Sequence, residues 1–453
     1  MSLMQKSIVL PSGNVINNRI GKSAMTERMA DPCNIVSQRH LNLYERWADG
    51  GCGLLISGNI MVDRFNLEGA GNIILDHRNF SLQADRLKHL TKIATKSKTH
   101  FWAQLSHAGR QTPYQINKSP LAPSSVQLKI PGRRYGVPKE MSEEDIYHTI
   151  DQFVQSAKLA KRVGFTGIQL HAAHGYLLSQ FLSPKTNIRK DEWGGSIKNR
   201  SRILIEIIRE CKSQLGSNYP ISVKLNSSDF QKGGFSGADS LQVAKLISEE
   251  NIDLLEISGG TYEQAKFLGY DALSIDPKAN VLLKRSTIAR EAYFLSYAEK
   301  ISSQLSLPLM VTGGFRTVEG INTALNSVCS MVGIARPLCT DPLAVKKLLL
   351  REIEILPVFE DKLSIGKKWL SITSPFTIIK ALNALCIISW YYVQLRRMGS
   401  GLNPDINIRS FHALLKNEWL EKKSVKIYQS HIKNDQCQPV DGQFKNVENF
   451  RED

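Results

Sequence analysis

The chain lacks the features of a disulfide scaffold, a zinc module or a membrane span. Its seven cysteines (Cys33, Cys52, Cys211, Cys329, Cys339, Cys386 and Cys437) form no CxxC pair among 453 residues. An odd, scattered set of thiols argues for a reducing compartment, so the cytosol is the expected location. The same scatter excludes a four-cysteine zinc site or iron–sulfur cluster, and no metal is expected. Long apolar runs are also missing. The stretch Ala381–Leu395 is interrupted by Asn383 and Gln394, flanked by Lys380, and shorter than the ~20 residues that cross a bilayer. It reads as a helix packed on the rest of the chain or on a second copy. The alternatives are peripheral membrane contact through 381–397, with Arg396 and Arg397 as the basic flank, and a true membrane span. The opening MSLMQKSIVLPSGNV holds one lysine and too short an apolar run for a secretory signal. Positive charge is in excess, at +16, yet no arginine-rich tract or aromatic platform accompanies it, so no nucleic-acid partner is expected.

What is present is a globular composition, 42% hydrophobic and 22% charged, with a repeating order of elements. A short hairpin around Pro11, Ser12 and Gly13 comes first. Eight β-like runs follow, mostly separated by amphipathic helical patterns: Arg19–Met25, Cys52–Val62, His100–His107, Phe165–Ala173, Pro220–Asn226, Ile252–Gly259, Pro308–Gly313 and Ser330–Arg336. The clearest helix is Ser142–Val163, with Ser142 and Asp145 as an acidic capping box and Gly164 as its stop. Strands alternating with helices predict an α/β fold, a (β/α)₈ TIM barrel whose N-terminal hairpin plugs the bottom, over 1–360. Leu343–Leu356 reads as its last helix. Residues 361–453 form a mainly helical C-terminal extension that ends, from His431 on, in a polar, poorly ordered tail. The long connection Ala108–Met141, with Lys129, Arg133 and Arg134, is expected to be a lid.

In such a barrel the C-terminal strand ends carry the chemistry. His171, His174 and Tyr176 crowd one of them, where two ring donors and a phenol can hold a carbonyl oxygen and deliver a proton. Gly313 and Gly314 after the seventh strand and Arg336 after the eighth suit a phosphate cradle. Gln104 supplies an amide and Lys224 a cation, which together suit a flavin mononucleotide. Ala24, Met25 and Thr26 at the first strand end and Gly58 at the second complete the cofactor candidates.

At these residues the sequence resembles the old yellow enzyme family of FMN-dependent ene reductases, also described as NADH:flavin oxidoreductases. The motifs are WAQLSHAGRQ (Trp102–Gln111), HAAHGYLLSQFLSP (His171–Pro184), DEWGGSIKNRSR (Asp191–Arg202), Gly233–Ser236 and VTGGF (Val311–Phe315), within about Ser7–Leu356. HAAHGY looks like the subclass with two histidines. The resemblance implies FMN, NADPH or NADH as donor, and reduction of activated alkenes. It implies Thr26 at the flavin carbonyl edge, Gln104 on the pyrimidine side, and Gly313, Gly314, Ala335 and Arg336 at the phosphate. His171 and His174 would hold the substrate's electron-withdrawing group and Tyr176 would donate the proton. Lys224 stands where the family usually has arginine, keeping the charge and losing the planar fork. The alternatives are an NAD(P)H oxidase or quinone reductase, and an idle flavin scaffold recruited through its extension.

Overall fold

The computed structural model describes residues 2–130, 134–259 and 295–434. Eight parallel strands close into a barrel: β1 (Ile20–Lys22), β2 (Leu54–Met61), β3 (His100–Ser106), β4 (Gly167–Ala172), β5 (Ile221–Asn226), β6 (Leu254–Ser258), β7 (Leu309–Thr312) and β8 (Met331–Ile334). Closure comes from β1, which pairs with β8 through Gly333↔Gly21 and with β2 through Lys22↔Leu55. The outer helices are α1 (Gln38–Ala48), α2 (His77–Ala94), α3 (Glu143–Arg162), α4 (Leu177–Leu182), α5 (Ile197–Leu215), α6 (Gly237–Glu249), α7 (Leu295–Ser302), α8 (Val318–Ser327) and α9 (Ala344–Leu349). The Ser142–Asp145 capping box opens α3.

The interior is layered because side chains alternate along each strand. Near the bottom, Leu54, Ile56, Trp102, Leu254, Met310 and Met331 form an apolar plug with Ile8, Leu10 and Ile16 of the N-terminal hairpin. Two residues further up, the inward positions turn polar: Gln104, Gln169, Lys224 and Glu256. Gly167 is required beneath that layer, since a Cβ there would lie 2.5 Å from Trp102 Nε1.

Two elements differ from the sequence reading. The last barrel helix spans only Ala344–Leu349, because Arg351 adopts φ 60° and Glu352 N–H donates to Lys347 O, a turn that ends helices. The Ala108–Met141 connection is pinned rather than free-standing. It holds a 3₁₀ turn, Gly109–Gln111, and a parallel pair, Leu121–Ala122 with Lys139–Glu140. Gln111 donates to His174 O and Arg189 to Met141 O. Arg133 of this connection and the polar tail beyond Asn434 lie outside the described residues.

The extension folds back on the barrel as α10 (Thr377–Gly399) and α11 (Ser410–Asn434). By length and composition α10 could cross a membrane, yet half of its apolar window is buried. Asn42 and Arg46 of α1 hydrogen-bond Gly399 O and Gly401 O at its end. Glu360, at the junction, pairs with Arg316 at 2.9 Å and Arg336 at 2.7 Å. Burial pushes its carboxyl up, but Arg336 and Arg316 outweigh that and hold it at about 2.

Gly167→Ala should destabilise the protein by roughly 1–3 kcal/mol through overpacking against Trp102; an unchanged urea midpoint would refute that layer's tightness. The Glu360 carboxyl, depressed in the folded state, contributes stability that is fully present above its unfolded value of 4.5 and lost as pH falls toward about 2. Glu360→Gln should therefore flatten the fall of the urea midpoint across that window, whereas parallel profiles for the two proteins would contradict it.

Candidate active site

Two hydrogen bonds and one ion pair link the polar layer across the barrel. Gln104 Nε2 donates to Gln169 Oε1 at 2.7 Å, and Gln169 Nε2 donates to Glu256 Oε2 at 2.8 Å. Lys224 Nζ lies 2.9 Å from Glu256 Oε1, with both side chains buried. The cation expected at position 224 is thus balanced by a buried carboxylate.

Above this layer stand the histidines. His171 lies on β4; His174 follows in the left-handed region at φ 60°, and the turn delivers Tyr176 as the residue that caps α4. His171 Nε2 is 3.2 Å from His174 Nδ1, and the Tyr176 ring centroid is 4.6 Å from that of His171. Burial holds both imidazoles well below their ordinary range, with Lys224 pushing the same way.

The tautomers follow from the neighbours. Glu68 Oε2 accepts from Asn59 Nδ2 at 2.8 Å, so the amide oxygen of Asn59 faces His171 Nδ1 at 2.9 Å. Burial raises Glu68, but Arg28 and the hydrogen bond from Asn59 outweigh it and keep it ionised, able only to accept. His171 therefore carries its proton on Nδ1 and, neutral, presents a bare Nε2 to His174 Nδ1–H. Ser258 Oγ, 2.9 Å from His174 Nε2, completes the chain. The resting pair thus shares one N–H at its gap, where the sequence reading counted two donors.

The other candidates divide. Thr26 Oγ1 accepts from Asn72 and also meets Glu68, which links it to the histidine support. Met25 Sδ is 3.4 Å from Cys339 Sγ, and Ala24 packs on the apolar plug. Gly58 is turned elsewhere: its N–H donates to buried Glu27, and a Cβ would collide with that carboxylate. Close packing behind β2 is thus the constraint on this glycine. Gly313 and Gly314 adopt φ 143° and 82° after β7, beside the Ser23–Thr312 hydroxyl pair at 2.7 Å. Arg316 and Arg336 share Glu360, which leaves one net positive charge there.

These features fit a flavin nucleotide. Ser106 Oγ and Ser227 Oγ are buried without a hydrogen-bond partner at the ends of β3 and β5, as groups awaiting a polar ligand would be. The glycine turn and the two arginines suit its phosphate. Glu68, Asn59, Gln169, Glu256 and Ser258 were missed in the sequence. For Gln169, Glu256 and Ser258 the signal was a polar residue at every second position of an otherwise apolar strand, as in Gln169-Leu170-His171 and Glu256-Ile257-Ser258; Glu68, in the connection after β2, carried none.

Comparison with known proteins gives the family and the fold. Residues 10–351 match the model of the NADH:flavin oxidoreductase / NADH oxidase family. Two proteins called NADH-dependent flavin oxidoreductase iliE are each 34% identical. The one from Neonectria sp. aligns with 79% of this chain, which spans 48% of that longer protein; the one from Hypocrea jecorina aligns with 76%, spanning 88% of the relative. Among solved structures, the old yellow enzyme homologue from Zymomonas mobilis superposes with a TM-score of 0.64 at 22% identity, over 80% of this chain and 96% of that one, and supports the barrel fold. The chain belongs to the NADH:flavin oxidoreductase / NADH oxidase family and is an FMN-dependent NAD(P)H oxidoreductase.

Proposed function

We propose that this oxidoreductase reduces C=C bonds conjugated to a carbonyl or nitro group. The observation that carries the reading is the His171–His174 pair, His171 buried and His174 half-buried, with Tyr176 against it above the Lys224–Glu256 layer. FMN, when bound, would supply two-electron hydride-transfer chemistry between NAD(P)H and the acceptor. Thr26, Gln104 and Lys224 would hold its ring, with Ala24 and Met25 alongside. Gly313, Gly314, Ala335 and Arg336 would hold its phosphate.

The chain's own residues do the rest. The histidine gap opens to take the acceptor oxygen. His174 donates through Nδ1–H, and His171 donates through Nε2 while the pair holds one proton taken from solvent and returned to it at the end of the cycle. Negative charge developing on that oxygen favours this protonation, so the second hydrogen bond strengthens as the reaction proceeds. Tyr176 Oη–H delivers a proton to the α-carbon and is reprotonated from solvent. The net change is one hydride and one proton added across the double bond.

The direct test is the visible spectrum of the purified, FMN-loaded protein under anaerobic conditions. NADPH or NADH should bleach the yellow band and cyclohexenone should restore it. Recovery only with oxygen or a quinone would replace ene reduction with an oxidase or quinone-reductase role. In the same assay the His171→Ala, His174→Ala double variant should keep its FMN yet slow reoxidation by cyclohexenone by about 10²–10⁴-fold. Wild-type reoxidation in that variant would remove the pair from the mechanism.

A further inference from the structure

The C-terminal helix α11 reaches the catalytic end of the barrel. Tyr428, 4% exposed, belongs to one apolar cluster with Met61 at the end of β2, Ala108 just after β3, and Tyr176 itself. Leu67, Ala70 and Ile74 complete its buried members, while Val425 of α11 and Ile116 of the long connection pack against it. Three polar ties hold the helix in this position. Tyr428 Oη donates to Arg64 O at 2.9 Å, Gln429 Nε2 donates to Gln115 O at 2.7 Å, and Glu421 lies 3.6 Å from Arg28. Their partners sit in the connections after β2, β3 and β1, respectively. Those connections surround the mouth above the histidines, and α11 bridges all three.

We propose that α11 forms one wall of the acceptor pocket, and that Tyr428, with Val425 one turn before it, sets the size of the acceptor that reaches Tyr176. This assignment rests on the reading that Tyr176 and the histidine pair handle the acceptor. It gives the extension a role in the barrel's own chemistry, although the family match ends at residue 351. The physical basis is steric. A phenol ring in the same buried cluster as the proton donor occupies volume that a bulky β-substituent would need. Its hydroxyl is fixed on a backbone carbonyl, so the ring has little freedom to swing aside. One or two methylenes of pocket volume shift discrimination by about 10–200-fold.

The test compares kcat/KM for a bulky enone, 3-phenylcyclohexenone, with that for cyclohexenone, using full-length FMN-loaded protein. Tyr428→Ala should raise the bulky-to-small ratio about tenfold, and Val425→Phe should lower it about tenfold. Tyr428→Phe, which keeps the ring and loses only the tie to Arg64, should stay within about twofold of wild type. Ratios unchanged in both Tyr428→Ala and Val425→Phe would overturn the assignment. If Tyr428→Ala fails to fold, Val425→Phe decides alone. If the wild-type protein turns over neither enone, ene reduction falls, and the same variants are read with benzoquinone against a 2-phenyl-substituted quinone. A shifted quinone ratio would still support the wall, and an unshifted one would sink it.

Discussion

Polar side chains inside a closed barrel must find partners among themselves, because no water reaches the middle of the strands to take their place. That constraint organises the upper half of this molecule. The apolar plug below, sealed by the hairpin, gives way to Gln104, Gln169, Glu256 and Lys224, each engaged with the next. Pairing Lys224 with Glu256 lets a cation sit deep in the barrel without leaving an uncompensated charge there. The layer thus forms a polar floor of near-zero net charge, on which a flavin ring can be placed by hydrogen bonds rather than by bulk electrostatics.

A second set of buried groups orients the histidines from the side. Glu68 receives Arg28, Asn59 and Thr26, and through Asn59 it decides which nitrogen of His171 holds the proton. The consequence is chemical. In the proposed reaction, a neutral pair with one shared N–H would bind a neutral carbonyl modestly and an oxygen that is gaining charge far better, because the added proton creates a second donor. Preferential stabilisation of that kind is what accelerates a step instead of merely tightening binding. Arg28 also lies within reach of Glu421, so the support of the histidines and the anchoring of α11 meet at one guanidinium.

Much of the fold could be read from the chain because most strands are short runs with a glycine or proline at one end, and the helices between them carry a strong apolar face. The positions of His171, His174 and Tyr176 were legible for the same reason: a strand ending in polar rings has nowhere to send them but the barrel mouth. The partners were harder. Glu256 and Gln169 look like ordinary polar residues until the strand is known to face inward at alternate positions. Asn59 is brought to His171 from a different strand, across a register irregularity between Ile56 and Asn59 that no local pattern announces. Gly58 misleads in the opposite sense. A glycine at a strand end suggests a ligand's approach, whereas here buried Glu27 occupies the space.

The extension was the least legible part, since nothing in an apolar helix and a lysine-rich helix tells where they dock. The structure supplies the answer through contacts far apart in sequence. Glu360 neutralises one of the two arginines beside the glycine turn, so the chain that leaves the barrel also tunes the charge of its phosphate end. From there α10 lies along α1, and α11 returns over the connections after β1, β2 and β3 to bury Tyr428 in the cluster of Tyr176. In the proposed reading, one segment thus touches both the cofactor end and the acceptor end of the same site. Truncating it would expose apolar barrel surface and unbalance buried charge as well as open the pocket, which is why single side chains on α11, rather than its removal, can separate a structural role from a selective one.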